Sequence, residues 1–540
     1  MLFVGDSSIT PVVAGVLTGV LVLVLFSAYF PSVPSNSFIT IGPADYSPND
    51  ESDNVQFERR VKLDGNNPWE MSFSPYATSD RLLFLGIERL PLLGASPPYD
   101  IMNELIFFTK SDKSGVRSGE IKYLTNNTKE FSFSGVGHLY AVNNNLLYIT
   151  WINQTESHDY YSLLLTKSND GGDSFTKPEN IANHRITYGY NDLAASKDGQ
   201  TVYVIWSESE QSGEAQTSAI SFRMSHDAGE NFEPVKTLFN DIFDGEIYCP
   251  QLILQESLES LAASSSESGS TSSSNQIYIV WQQYVEKSGI KVMFTASHDN
   301  GATFDKPVVI KSAYSEEGSC PQMSASNDGS VYLMWTETKI LQNQFGTSDL
   351  VPDTDIFIVA SKDNGRAFGE PINLSKGIGA FTGEARMAVS EDGRNVYAVW
   401  RDTIPITNDR GELDFYGYAE IILVTSEDGG KTFGKPVNLS NNSLGSYGPE
   451  IAIHGNNVYV IWLESSFPSN VGETSFRMSN DGGKTFGRLL DNITGTIKEP
   501  VSRPSILTSD DGSKLYIIWS ETPYENDINI DTYLIVGQKA

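Results

Sequence analysis

The sequence predicts an all-β propeller of four-stranded blades, and three observations carry that prediction. A short acidic turn pattern recurs six times. An alternating apolar strand ending in tryptophan recurs upstream of it. The copies follow one another at 53–72 residues, as one structural unit does when its loops vary in length. The chain has 540 residues, 39% hydrophobic and 11% aromatic, enough for a large core with a bias toward sheet.

The turn pattern is S-x-D-x-G-x-(S/T)-F. It reads SNDGGDSF at 168–175, SHDAGENF at 225–232, SHDNGATF at 297–304, SKDNGRAF at 361–368, SEDGGKTF at 426–433 and SNDGGKTF at 479–486. Its aspartates are Asp170, Asp227, Asp299, Asp363, Asp428 and Asp481. Each carboxylate can accept backbone N–H groups inside a hairpin turn, helped by the hydroxyls. The glycine supplies a positive φ, and the phenylalanine packs between sheets.

The tryptophan strands end at Trp151, Trp206, Trp281, Trp335, Trp400, Trp462 and Trp519. A short strand precedes each, a third lies between the tryptophan and the turn, and a fourth follows the turn. Residues 67–125 read as a degenerate unit with Gly86 at the tryptophan place. The last unit lacks a fourth strand, and QFERRVKL at 56–63 matches NFEPVKTL at 231–238, which is one. The N-terminal strand then closes the ring and leaves no free edge, giving eight blades. Seven is the alternative, with 67–125 as a cap.

Val12–Phe30 is 19 residues without charge, about 28 Å as a helix, close to the thickness of a hydrocarbon core. Residues 1–30 therefore read as an uncleaved transmembrane anchor, with a cleaved signal as the alternative. Residues 31–54, rich in Pro, Ser and acids, read as a flexible stalk, and 55–540 as the propeller. Six sequons, at Asn126, Asn153, Asn373, Asn438, Asn441 and Asn492, favour a propeller glycosylated and facing the cell exterior. The Ser-rich tract 257–275 reads as a surface loop.

Lys plus Arg number 37 against 68 Asp plus Glu, a net charge of -31. That balance repels nucleic acid and suits a basic partner, calcium or simple solubility. No spacing of histidine or cysteine makes a metal motif, and no EF-hand spacing supports calcium. The two cysteines, Cys249 and Cys320, open the inner strands of successive blades, where an oxidising exterior permits a disulfide.

At its six turns the chain resembles the Asp-box family, whose best-known members are sialidases. The resemblance implies that the turns are structural and lie opposite the face that carries the family's chemistry. It also implies a test, since sialidases clamp a substrate carboxylate with three arginines and use a tyrosine–glutamate pair. The candidates for the clamp are Arg185, Arg386 and Arg503, and for the pair one of Tyr188, Tyr190, Tyr248 and Tyr447 with Glu384 or Glu450. The Arg-Ile-Pro element of sialidases is missing.

Two rings of polar residues break or follow the repeat. Two residues after each tryptophan place come Glu88, Asn153, Glu208, Gln283, Glu337, Asp402, Glu464 and Glu521. That ring reads as a hydrogen bond repeated in each blade, or as a cation or basic-partner ring. The innermost strands vary, and with the loops leading into them they offer Tyr188, Tyr190, Asp192, Tyr248, Arg386, Glu450 and Arg503 as ligand-binding residues. Two functions follow. One is a noncatalytic propeller binding a glycan or a cell-envelope protein through its axial face. The other is an exo-acting glycoside hydrolase of the sialidase type.

Overall fold

The computed structural model describes residues 42–43, 55–57, 61–62, 71–78, 81–91, 102–111, 122–125, 134–154, 161–184, 190–212, 215–242, 246–256, 274–285, 289–313, 320–341, 351–376, 381–403, 406–407, 413–414, 419–442, 445–466, 471–494, 503–509, 511–521 and 531–539. The expected anchor at 1–30, nearly all of the stalk, the tract 257–273 and Asn126 lie outside them. Among the described residues no helix is long and apolar enough to cross a membrane.

Eight antiparallel blades follow one another along the chain. Their innermost strands are Met71–Ala77, Ser134–Ala141, Asn191–Ala195, Ile247–Gln255, Gln322–Ala325, Phe381–Val389, Gly445–His454 and Ser505–Thr508. The second strands are Leu82–Pro91, Leu147–Gln154, Val202–Ser212, Gln276–Val285, Val331–Leu341, Val396–Thr403, Asn457–Ser466 and Lys514–Glu521. Alternation along each second strand lets both faces of a blade enter the core. The outermost strands are short. Blades 1, 5 and 6 show only Lys122–Tyr123, Ile372–Asn373 and Val437–Asn438, and blade 7 a single bridge from Phe476 to Leu490. Short edges offer little to a foreign strand. Gly42–Pro43 adds a parallel strand to the edge of blade 6.

Among the described residues the core forms eight apolar clusters, each shared by two neighbouring blades. The cluster of Leu82 and Phe84 with Tyr516, Ile518, Leu534 and Val536 joins blade 1 to blade 8 and closes the ring. The expected N-terminal closure is present. Val55–Phe57 pairs with Gly537–Lys539, and Val61–Lys62 with Tyr533–Leu534, both antiparallel.

The phenylalanines of the turns show why closure works. Phe175, Phe304 and Phe368 each meet a phenylalanine of the preceding blade edge to face, at centroid distances of 4.9–5.1 Å. Phe57, which the sequence match sets against Phe232, does the same on Phe476 of blade 7 at 5.4 Å. The N-terminal strand thus brings the side chain that a turn brings elsewhere. Blade 1 is a full blade, not a cap. A Cβ on its Gly86 would lie 2.3 Å from the ring of Phe107, the cross-strand partner, so that ring occupies the space of the missing tryptophan.

Candidate functional site at the axial mouth

All six S-x-D-x-G turns lie at one end of the blades, between third and fourth strands. In each, the serine hydroxyl donates to the aspartate at 2.7–2.8 Å. The backbone N–H four residues on donates to the same carboxylate at 2.8–3.0 Å. In five turns a side chain, from Ser174, Asn231, Thr303, Thr432 or Thr485, occupies the second oxygen. The carboxylates are used up inside the turns. Bonds from Asn231 and then Ser225 hold the Asp227 carboxyl down at about 2. Four further Ser–Asp pairs, Ser196–Asp198, Ser326–Asp328, Ser390–Asp392 and Ser509–Asp511, build the turns between first and second strands at the same end. The reading of the sequence missed this second set.

The other end receives the loops between blades and holds the axial residues. Four inner strands carry a bulge near their start, at Gly135/His138, Tyr248/Gln251, Gly383/Arg386 and Tyr447/Glu450. In three of them the first bulged residue has positive φ: Gly448 at 63°, Cys249 at 52° and Glu384 at 56°. Only glycine takes that conformation freely, so the cysteine and the glutamate are held there by what their side chains do. Cys249 is disulfide-bonded to Cys320, with the Cα atoms 5.7 Å apart, linking blades 4 and 5.

Glu384 sits among donors from three blades. It accepts from the Arg503 guanidinium at 2.6 Å and from the Gly448 N–H at 2.7 Å. Arg401 lies 3.8 Å away. Arg386 meets Glu450 at 2.7 Å. Burial pushes the Glu450 carboxyl up, and Arg386 opposes it. Two glutamates thus hold three arginines at the mouth of blades 6–8. Arg386 and Arg503 both act on Glu450, but their direct ion pairs differ. Each is engaged by a different glutamate, and Arg185 lies outside the described residues. Arg401 was missed, although its signal is visible: after the tryptophan the other blades carry Ile152, Ser207, Gln282, Thr336, Leu463 and Ser520, none charged. Tyr447 is half-buried just before the Gly448 bulge.

Across the mouth, Tyr190 and Tyr248 meet edge to face with centroids 5.9 Å apart, and Tyr248 donates its hydroxyl to Glu246. Tyr188 lies outside the described residues. Asp192 accepts the Leu252 N–H at 2.9 Å and faces His138 at 3.4 Å. Gln251 donates to the Pro321 carbonyl and Gln322 to the Ala385 carbonyl. With Arg386–Glu450, these contacts run from blade 2 to blade 7. The varied inner ring is therefore also a chain of links between neighbouring blades.

The ring two residues after tryptophan splits. The indole N–H of Trp206, Trp335 and Trp462 donates to Glu208, Glu337 and Glu464 on the same strand. In those three blades the ring is a repeated hydrogen bond. Among the expected glycosylation sites, Asn441 is exposed, whereas the half-buried Asn438 accepts the Asn441 N–H at 2.8 Å. Asn153, Asn373 and Asn492 are half-buried.

No family model matches the chain, and no curated protein matches it. Among solved structures, the polysaccharide lyase Uly1 is 13% identical, over 74% of this chain and 89% of that chain, with a TM-score of 0.44. The α-L-arabinofuranosidase Arb93A of Fusarium graminearum is 12% identical, over 64% and 92%, with a TM-score of 0.34. A Penicillium chrysogenum α-L-arabinanase is 11% identical, over 74% and 92%, with a TM-score of 0.36. Likeness at this level says nothing about chemistry.

Proposed function

We propose that this is an Asp-box, sialidase-like propeller that binds a glycan or a cell-envelope protein through its axial mouth without cleaving it. One observation carries the reading: among the described residues, the axial arginines Arg386, Arg401 and Arg503 already face Glu384 and Glu450 rather than standing open as a clamp for a substrate carboxylate. The mouth still offers what polyhydroxylated ligands use, a tyrosine pair at blades 3 and 4 and charged donors and acceptors at blades 6–8. Residues 12–30 anchor the chain to a membrane, with the propeller on the exterior side. Two comparisons test the reading. A glycan array probed with the purified protein should give hits that Tyr248→Ala and Arg386→Ala remove, and an array and an envelope-protein pull-down that both stay blank would end it.

A second reading rests on Glu450, a carboxyl raised by burial at the mouth, as a general acid requires. It makes the protein an exo-acting glycoside hydrolase. Turnover of a fluorogenic sialoside or arabinoside that Glu450→Gln abolishes would establish this reading over the first.

A further inference from the structure

Blades 5–7 each set two acidic residues directly opposite one another where the second strand ends: Glu337 and Asp355, Asp402 and Glu420, and Glu464 and Glu473. Like charges in that relation repel, so each pair needs a compensating partner. Two show theirs. Glu337 accepts the Trp335 indole and has Lys311 at 3.9 Å. Glu464 accepts the Trp462 indole and both oxygens take the Asn442 amide at 2.7 Å.

Blade 6 differs. Asp402 is 3% exposed, and among the described residues its Oδ1 has no hydrogen-bond partner. The Trp400 indole N–H is equally buried and also has none. Glu208, Glu337 and Glu464 close that bond in blades 3, 5 and 7, Asp402 does not in blade 6, and the Trp519 indole of blade 8 is open although Glu521 stands at the same place. No Lys, Arg or His lies within ion-pair distance of Asp402 among the described residues. Its neighbour Arg401 points into the contact with Glu384 instead. Glu420, half-buried opposite, is steadied by the Ser440 hydroxyl. An orphaned, fully buried carboxylate oxygen beside a second fixed carboxylate is a site short of positive charge.

We propose that Asp402 and Glu420 together hold a hard divalent cation, Ca²⁺ or Mg²⁺, between them. The donors are all oxygen, which suits these ions and not thiolate- or imidazole-seeking metals. The ion satisfies Oδ1 and removes the repulsion, and water entering past Glu420 completes its shell. Asp402 must lose its proton to bind, so affinity falls about tenfold for each pH unit below its titration.

The test is thermal unfolding of the full chain at pH 7.5, in chelator and then in rising CaCl₂ or MgCl₂. The expected result is a saturable rise in Tm for the wild type that Asp402→Asn and Glu420→Gln each abolish. Glu473→Gln, in the neighbouring blade, retains it. The larger shift and lower half-saturation identify the ion. The proposal falls if the wild type shows no rise. It also falls if Asp402→Asn or Glu420→Gln keeps the rise, since that is diffuse binding to a chain of net charge -31. Either variant alone suffices if the other does not fold.

Discussion

Replacing Asp402 by Asn should stabilise the chelated protein at pH 8 and scarcely affect it at pH 4. The Asp402 carboxyl is pushed up to about 7 from an ordinary 3.8, first by burial and then by the charge of Glu420. For an acid raised in the folded state, folding favours the protonated form. The penalty is absent below the unfolded value, grows as pH climbs through it, and is complete once pH passes 7. Three units at about 1.4 kcal/mol each set the scale, so ionised Asp402 costs about 4 kcal/mol at pH 8 and about 0.6 kcal/mol at pH 4. Asparagine keeps the shape, carries no charge and can donate its amide toward Glu420. Urea unfolding of wild type and variant, both in chelator at the two pH values, reads the difference. Equal differences at pH 4 and pH 8, or a variant less stable at pH 8, would refute the reasoning. The comparison requires chelator because a bound cation would remove the penalty it measures.

Three more outcomes follow from contacts already described. Glu464→Ala strands the Trp462 indole and the Asn442 amide and should lower stability by about 2–4 kcal/mol in urea melts, against little effect for exposed Glu427→Ala. Phe57→Ala should cost about 3 kcal/mol, the low end for phenylalanine because Phe57 keeps some exposure, and should make proteolysis begin at the blade 8 seam. Cys249→Ser with Cys320→Ser opens a loop spanning 71 residues and should cost about 4 kcal/mol on loop entropy, with loss of the mobility difference between reduced and oxidised protein on a gel.

What was legible in the sequence is what repeats inside a blade. Tryptophan strands and aspartate turns recur because each blade must solve the same local problem, and they yielded the blade number and the closing strand. Phe57 was readable because it holds the place of Phe232 in a matching string. The contacts that shape the mouth were not. Glu384 and Arg503 are 119 residues apart, and Gln322 reaches a carbonyl 63 residues on. Such pairs have no period, and each blade contributes one different side chain. The bulges were hidden for another reason. An inserted residue shifts the alternation by one place near the start of a strand of eight to ten residues, too short for the shift to register against varied polar residues. Asp402 was visible as a member of a ring, but not as a buried carboxylate oxygen left without a partner, because its burial is set by packing that the ring does not reveal.

The bulge at Glu384 allows structure and function to be separated in one substitution. Blade 7 shows what the position takes when nothing else is asked of it, namely Gly448 at φ 63°. An L residue held in that region costs about 1–2 kcal/mol, and Glu384 is kept there by Arg503 and the Gly448 N–H. Glu384→Gly removes the strain and the ion pair together. Because Arg503 is 44% exposed and that pair is screened, its loss should nearly cancel the relief, leaving stability within about 1 kcal/mol of wild type. Binding should not be spared, because Arg503 and Arg401 then lose the carboxylate that orients them. A variant equally stable but blind to the ligand found on the array would mark Glu384 as a positioning residue of the mouth. Unchanged stability with unchanged affinity would instead mean that the strain serves nothing at this face, and the axial reading at blades 6–8 would go with it.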